Sequence, residues 1–240
     1  MTLHEAEKKM KDMLCQLYGQ KEAGTITQWV MEEITGQSRS KRLVNADKEI
    51  EVSQRLAWKH AMDELQQYKP VQYVLQKAWF KGMELFVNEQ VLIPRPETEE
   101  LVNQILEEKE RRPAKTKILD IGTGSGCIAI SLKKYWPAAE VTACDISEGA
   151  LQVAQKNAKA QDTDLQLLHL DILDEKAWSR LDKYDIIVSN PPYIDPIERE
   201  SMDLNVLNFE PELALFTAEN DPLVFYRRIA QLGKKHCRKG

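Results

Sequence analysis

From Lys117 onward the chain alternates short apolar strands with helices, and this alternation restricts the possible folds more than any other feature. Ile118-Leu119-Asp120-Ile121 reads as a buried strand, followed by a glycine-rich turn and a helix around Ile128–Tyr135. Glu140–Cys144 reads as a second strand, with a helix through Ala150–Ala160 behind it. Leu165–His169 makes a third strand and the strongly apolar Tyr184–Ser189 a fourth. Strand–helix alternation implies an α/β domain, a parallel sheet with helices on both faces. Open sheets of this kind bind ligands at the carboxyl ends of their strands, so the residues just after each strand carry the chemistry.

The sequence before this region has a different pattern. Thr2-Leu3-His4-Glu5 fits a capping box, with Leu3, Ala6, Met10, Leu14 and Leu17 following at helical spacing. Gly19 is expected to close that helix, Thr25 with Gln28 to open another, and Gly36 to stop it. Asp47 is expected to cap a longer helix carrying Ile50, Gln54, Ala57, Ala61, Leu65 and Tyr68 on one side, up to Pro70. Residues 1–75 thus read as a small helical bundle. Residues 76–95 read as a linker built on a β-hairpin over 78–93, and 96–240 as the α/β domain, which opens with a helix from about 97 to 110.

Four strand ends carry candidate site residues. Asp120 precedes the turn Gly122-Thr123-Gly124-Ser125-Gly126, whose glycines let the backbone turn sharply and approach a ligand. The spacing is G-x-G-x-G with no Lys-Ser/Thr ending, which excludes a phosphate-binding P-loop. An acidic residue ahead of the glycines suits a cationic amino-acid moiety better than a pyrophosphate. Asp145 ends the second strand, where a carboxylate can accept hydrogen bonds from two ribose hydroxyls; capping the following helix is its plainer use. Asp171-Ile172 follows the third strand, placed for an adenine amino group and ring, although Asp171 can equally cap a turn.

After the fourth strand comes Asn190-Pro191-Pro192-Tyr193. Two consecutive prolines remove two backbone donors and stiffen the loop. The Pro191 carbonyl then points in a fixed direction beside the Asn190 side-chain oxygen. Two such acceptors can hold the two hydrogens of a planar NH₂ group and stabilise positive charge growing on its nitrogen. Tyr193 offers a flat face for stacking.

With these residues the chain resembles the class I, Rossmann-like S-adenosylmethionine methyltransferases that carry an N-P-P-Y motif, and more narrowly the PrmC/HemK family of release-factor protein-(glutamine-N5) methyltransferases. The likeness includes Tyr73-Val74-Leu75, Trp79-Phe80, Asp120–Ile130, Asp185–Ile194 and Phe209-Glu210-Pro211. Its most family-specific string is Pro94-Arg95-Pro96-Glu97-Thr98-Glu99. The resemblance implies S-adenosylmethionine as cofactor and the glutamine of the release factors' Gly-Gly-Gln motif as acceptor, with the helical bundle helping to dock the release factor. It implies that Gly122–Gly126, Asp145 and Ile172 line the cofactor site and that Asn190 touches both cofactor and substrate. Pro191, Pro192 and Tyr193 would shape the glutamine pocket, with Arg95, Glu97 and Thr98 close by. The chain departs from the family pattern at Gln76, where a glycine is common, and at Phe216-Thr217 and Asp221-Pro222. After a helix around Leu223–Leu232 the sequence stops at Lys239-Gly240, where the family continues with further strands; the resemblance therefore implies a sheet lacking its C-terminal strands.

Other readings stay open at this point. An adenine-N6 methyltransferase would also grip a planar NH₂, but a formal net charge of −5 and a pI near 5.6 speak against a direct nucleic-acid substrate. A non-catalytic release-factor-binding remnant is a third reading. Hydride transfer has no use for Asn-Pro-Pro-Tyr. Cys15, Cys127, Cys144 and Cys237 are scattered without metal-ligand spacing; Cys127 and Cys144 read as core residues, and neither a metal nor a disulfide is expected. No apolar run is long enough to cross a membrane, and the N-terminus lacks the apolar core of a signal peptide, so a cytoplasmic location is expected.

Overall fold

Helix α1 (Leu3–Leu14) opens with the capping box legible in its sequence. The Thr2 hydroxyl accepts from the Glu5 amide at 3.2 Å, and the Glu5 carboxylate accepts from the Thr2 amide at 2.9 Å. Between them they satisfy donors that a helix start otherwise leaves bare. The computed structural model describes residues 1–113, 115–217 and 221–238, and the chain divides into two units. One comprises Met1–Gln76 with Leu204–Phe209; the other comprises Lys77–Asp203 with Glu210–Gly240.

The first unit is helical. After α1 come α2 (Gln20–Thr35), α3 (Arg39–Val44), α4 (Val52–Leu65) and α5 (Val71–Leu75). Leu3, Ala6, Met10 and Leu14 are buried with Val30, Met31, Trp58 and Leu65 in one apolar cluster. Several expected boundaries move. Helix α1 ends at Leu14, and Gly19 is the N-cap of α2 rather than the stop of α1. Its φ of −58° is open to any residue, so the glycine does not terminate anything there. Thr25 lies inside α2, its hydroxyl bonded back to the Lys21 carbonyl. Gly36 does stop α2, in the left-handed region at φ 62°. Glu51, not Asp47, caps α4, with Gln54 reaching back to the Glu51 amide. Gln76 adopts φ 54°, a left-handed backbone that explains why glycine suits this position.

The second unit begins with strands β1 (Lys77–Phe80) and β2 (Met83–Phe86), paired antiparallel. Lys81 and Gly82 turn the hairpin with φ of 50° and 72°, the doubly left-handed turn that matches strand twist. The strands stop at Phe86: Val91 and Ile93, expected in the hairpin, are buried in a loop that runs on to α6 (Pro96–Glu107). Strand β3 (Lys117–Ile121), α7 (Cys127–Tyr135), β4 (Glu140–Asp145), α8 (Glu148–Ala160), β5 (Gln166–His169) and β6 (Ile186–Ser189) follow. Next along the chain come α9 (Leu204–Phe209), which is grouped with the first unit, then α10 (Glu212–Leu215) and α11 (Val224–His236).

The four-stranded sheet runs β5-β4-β3-β6, parallel throughout. Alternate residues of central β3 feed two apolar layers. Ile118 packs with Ile130, Val141 and Val188, whereas Leu119 and Ile121 pack with Cys144, Trp178 and Leu232. Helices thus cover both faces, α7 on one and α11 on the other, as expected of a parallel sheet buried on both sides. Cys127 and Cys144 are core residues, as their apolar contexts suggested. The hairpin joins the first layer through Phe80, Met83 and Leu85.

Asn157 of α8 locks three pieces of this unit together. Its amide donates to the Phe86 and Ser125 carbonyls, both at 2.9 Å, and its oxygen accepts from the Phe86 amide at 2.7 Å. On one side the described sheet ends at β6, and Tyr184 at the start of that stretch makes a parallel bridge to Cys237. Lys239 and Gly240 lie outside the described residues. Among the described residues no helix is long and apolar enough to cross a membrane, and no His/Cys/Asp/Glu group could hold a metal ion.

Candidate active site

The carboxyl ends of the four parallel strands open onto one cavity of about 420 Å³. Sheet register puts them level: Ile121 of β3 pairs with Cys144 of β4 and Ser189 of β6, and Asp145 pairs with His169 of β5. The Ser189 hydroxyl donates to the Ile121 carbonyl at 2.7 Å and ties the start of the Asn-Pro-Pro-Tyr loop to the glycine turn.

The glycine turn bends because Gly122, Gly124 and Gly126 all have positive φ, 70°, 55° and 80°. The Gly122 and Thr123 amides donate to the Cys144 carbonyl at 2.9 and 3.1 Å, which closes the turn onto β4. At Gly122 and Gly124 a Cβ would meet nothing within 4 Å, and both residues line the cavity. Gly126 is different. It is absent from the cavity wall, and a Cβ there would lie 2.9 Å from Ile130 Cδ1 and 3.2 Å from the Ala154 Cβ. The sequence placed all three glycines around the ligand; the structure gives Gly126 the task of letting α7 and α8 approach.

Asp145 lines the cavity with its carboxylate already oriented. One oxygen accepts from the Ser147 amide and the other from the Gly124 amide, each at 2.9 Å. Burial pushes its carboxyl above the usual range, against the pull of those amides. Ser147, not Asp145, caps α8. Asp120 sits behind the turn, fully buried and outside the cavity wall. One of its oxygens accepts from the Thr123 hydroxyl at 2.6 Å; the other has no hydrogen-bond partner among the described residues. Burial pushes its carboxyl up to about 7, although Thr123 and the Ala129 amide favour the charge. A buried carboxylate with a bare oxygen is costly unless a cation or donor reaches it. Asp171 and Ile172 both line the cavity; Asp171 also takes the turn-capping part, accepting from the Leu173 amide at 2.8 Å.

Asn190, Pro191 and Pro192 line the same cavity as Gly122–Ser125 and Asp145. The Asn190 amide nitrogen donates to the Thr98 hydroxyl at 3.4 Å, and the Asn190 oxygen has no hydrogen-bond partner among the described residues. Tyr193 is 60% exposed and not part of the wall, so the expected stacking face is not inside the cavity. Arg95 and Thr98 line the cavity, but Glu97 is exposed and does not. Arg95 donates through one nitrogen to both Glu210 oxygens, at 2.6 and 2.8 Å.

Sequence reasoning missed two parts of the wall. Pro211, Leu213 and Ala214 close one side, and Gln90, Val91 and Leu92 another. A signal for the second was present in Gly149, a glycine inside the first turn of α8. A Cβ there would run into the end of the Gln90 side chain, so a larger residue would require that flexible side chain to move.

The methyltransferase small domain family matches residues 97–207, and the PrmC N-terminal domain family matches residues 5–75. A release factor glutamine methyltransferase of Flavobacterium psychrophilum is 41% identical over 93% of this chain and 78% of its own length. Proteins of the same description from Bacteroides thetaiotaomicron and Streptococcus pneumoniae are 50% and 51% identical, over 73% and 70% of this chain. The chain spans 62% and 58% of those two relatives. Shared sequence at this level across both units, joined to a cavity that unites the glycine turn with Asn190-Pro191-Pro192, shows that the chain belongs to the release factor glutamine methyltransferase family.

Proposed function

We propose that this protein transfers a methyl group from S-adenosylmethionine to the amide nitrogen of the glutamine in the Gly-Gly-Gln motif of peptide-chain release factors. The observation that carries the reading is the shared wall: the Asn190–Pro192 rim and the glycine turn face one cavity. A release-factor substrate would make translation the setting and the cytoplasm the place of the reaction.

The residues present suit S-adenosylmethionine. Asp145, held by two backbone amides, keeps lone pairs for ribose hydroxyls. Asp120, buried behind the glycine turn and outside the cavity wall, would favour the cofactor's ammonium through its charge rather than by contact. Ile172, 7% exposed, gives an apolar cover and Asp171 a carboxylate at the third strand end. Bound there, the cofactor would supply an electrophilic methyl group on a sulfonium centre.

The chain's own part is to make a poor nucleophile competent. An amide nitrogen delocalises its lone pair into the carbonyl. The Asn190 oxygen and the Pro191 carbonyl would each accept one hydrogen of the glutamine NH₂ and fix the nitrogen in line. Positioning of this kind removes entropy from the barrier before reaction. The same two acceptors stabilise the positive charge that grows on nitrogen. Prolines at 191 and 192 keep competing backbone donors out of the rim. No strong base is required, because the proton leaves after methylation, when the nitrogen is far more acidic.

The test offers release factor and adenine-containing nucleic acid side by side with labelled cofactor. Label on the release-factor glutamine supports the proposal; label on nucleic acid alone replaces it with adenine methylation. Asn190→Ala should lower turnover by about a hundredfold, the usual loss for one preorganised polar group at a developing charge. Turnover near the wild-type rate would remove the two-acceptor mechanism.

A further inference from the structure

We propose that Arg95 and Glu210 act as a positioning pair for the acceptor side of the cavity, holding the Pro211–Ala214 segment in place opposite the glutamine. The inference rests on the glutamine-methylating reading of the site and adds to it a positioning role for a pair whose Glu210 member does not line the cavity.

Glu210 is a costly residue to place where it is. Its side chain is 2% exposed, and Arg95, 37% exposed, engages both of its oxygens. Burial holds the Glu210 carboxyl above the usual range even with the guanidinium beside it. A buried ion pair is weak evidence for stability, since well-packed apolar residues often serve as well or better. What the pair provides that an apolar contact does not is a short charge-assisted tie, one Arg95 nitrogen donating to both Glu210 oxygens, that holds the two segments at a set distance.

The segment it fixes forms cavity wall. Pro211, Leu213 and Ala214 line the cavity, and Arg95 itself lines it beside Pro94. The other end of the segment is tied to the acceptor loop. The Ile194 amide donates to the Leu215 carbonyl at 3.1 Å, and the Thr217 amide donates to the Ile194 carbonyl at 3.0 Å. Ile194 directly follows Asn190-Pro191-Pro192-Tyr193. Residues 210–217 are therefore a strap, pinned by Ile194 at one end and by Arg95 at the other. The turn of chain that carries Arg95 also carries Thr98, which holds the Asn190 amide. By contrast, the neighbouring Arg199–Glu212 pair is exposed on both sides and should contribute little.

The experiment uses the full chain with Glu210→Gln, Arg95→Gln and the apolar replacement Arg95→Met/Glu210→Leu, which keeps packing without the charge-assisted tie. Two readouts are taken. Hydrogen exchange reports the strap: faster exchange at Ile194 and Thr217, with β3 and β4 unchanged, is the expected result. Kinetics report the acceptor: KM for release factor should rise about tenfold or more, as small misplacements of a binding wall do, while cofactor affinity stays within about twofold. The apolar double variant should melt near the wild-type temperature and still show the raised KM. Unchanged strap exchange overturns the inference. So does faster exchange with wild-type KM, and so does loss of cofactor affinity and melting temperature together with no change in KM. If the wild-type chain methylates no release factor, the functional reading fails and takes this inference with it; the other outcomes strike the inference alone.

Discussion

Replacing Asp120 by asparagine tests whether the site stores an unfavourable buried charge for a cationic ligand. In the folded protein the Asp120 carboxyl is pushed from 3.8 up to about 7, chiefly by burial. Between those values the folded state holds a proton that the unfolded chain has released. Stability therefore falls as pH rises from about 4 and levels off above about 7. A shift of this size corresponds to about 4 kcal/mol at 1.36 kcal/mol per pH unit, of which about 3 kcal/mol accrues between about pH 5 and about pH 8. Because the carboxylate is fully buried, solvent screening does not reduce this term. The substituted asparagine cannot ionise and escapes the penalty. Its NH₂, however, takes the place of an oxygen that has no partner among the described residues, which costs about 1–3 kcal/mol at any pH. Urea denaturation at about pH 5 and about pH 8 should show Asp120→Asn gaining about 3 kcal/mol relative to wild type between the two conditions. On the proposed reading, calorimetry at the higher pH should show S-adenosylmethionine binding weakened about tenfold, because the buried negative charge behind the glycine turn is gone. A stability difference that does not change with pH, or cofactor affinity untouched by the substitution, would refute the reasoning.

Other substitutions separate packing from chemistry. Gly126→Ala places a Cβ at φ 80° and 2.9 Å from Ile130 Cδ1; thermal melting should show a loss of about 2–4 kcal/mol from backbone strain and overpacking. Asn157→Ala leaves two carbonyls and one amide without their bonds; chemical denaturation should show a loss of about 3–5 kcal/mol. Thr98→Val keeps shape but removes the acceptor for the Asn190 amide. It should lower kcat on release factor about threefold to tenfold with cofactor affinity unchanged, a modest effect because the bond is long; equal loss of both would contradict its assignment to the acceptor side.

Local chemistry was readable from the chain where a few neighbouring residues decide it. Thr2 and Glu5 cap α1 within one turn, and the strands around Leu119, Ala143 and Val188 are buried apolar runs set off by turns. The four strand ends could be placed at one edge because a parallel sheet leaves no other arrangement. Long-range satisfaction was not readable. Nothing in the sequence near Asn157 says that its amide will bridge the hairpin and the glycine turn, and Arg95 and Glu210 lie 115 positions apart. Helix α3 escaped notice because its six residues bury only Arg42, an arginine engaged by Glu7, Gln28 and the Gln37 carbonyl. Glycine misled at Gly19, which begins a helix instead of ending one, and the packing need at Gly126, where a Cβ would meet Ile130 and Ala154, was not visible in the sequence. Tyr193 and Glu97 belong to the two motif strings, yet neither lines the cavity wall.

The most direct test is a crystal structure of the chain with S-adenosylhomocysteine and a release-factor domain carrying its Gly-Gly-Gln loop. The account predicts the glutamine NH₂ between the Asn190 side-chain oxygen and the Pro191 carbonyl, with its nitrogen facing the cofactor sulfur across the cavity. A glutamine seated away from residues 190–192, or a cofactor bound away from the Gly122–Ser125 turn, would contradict it.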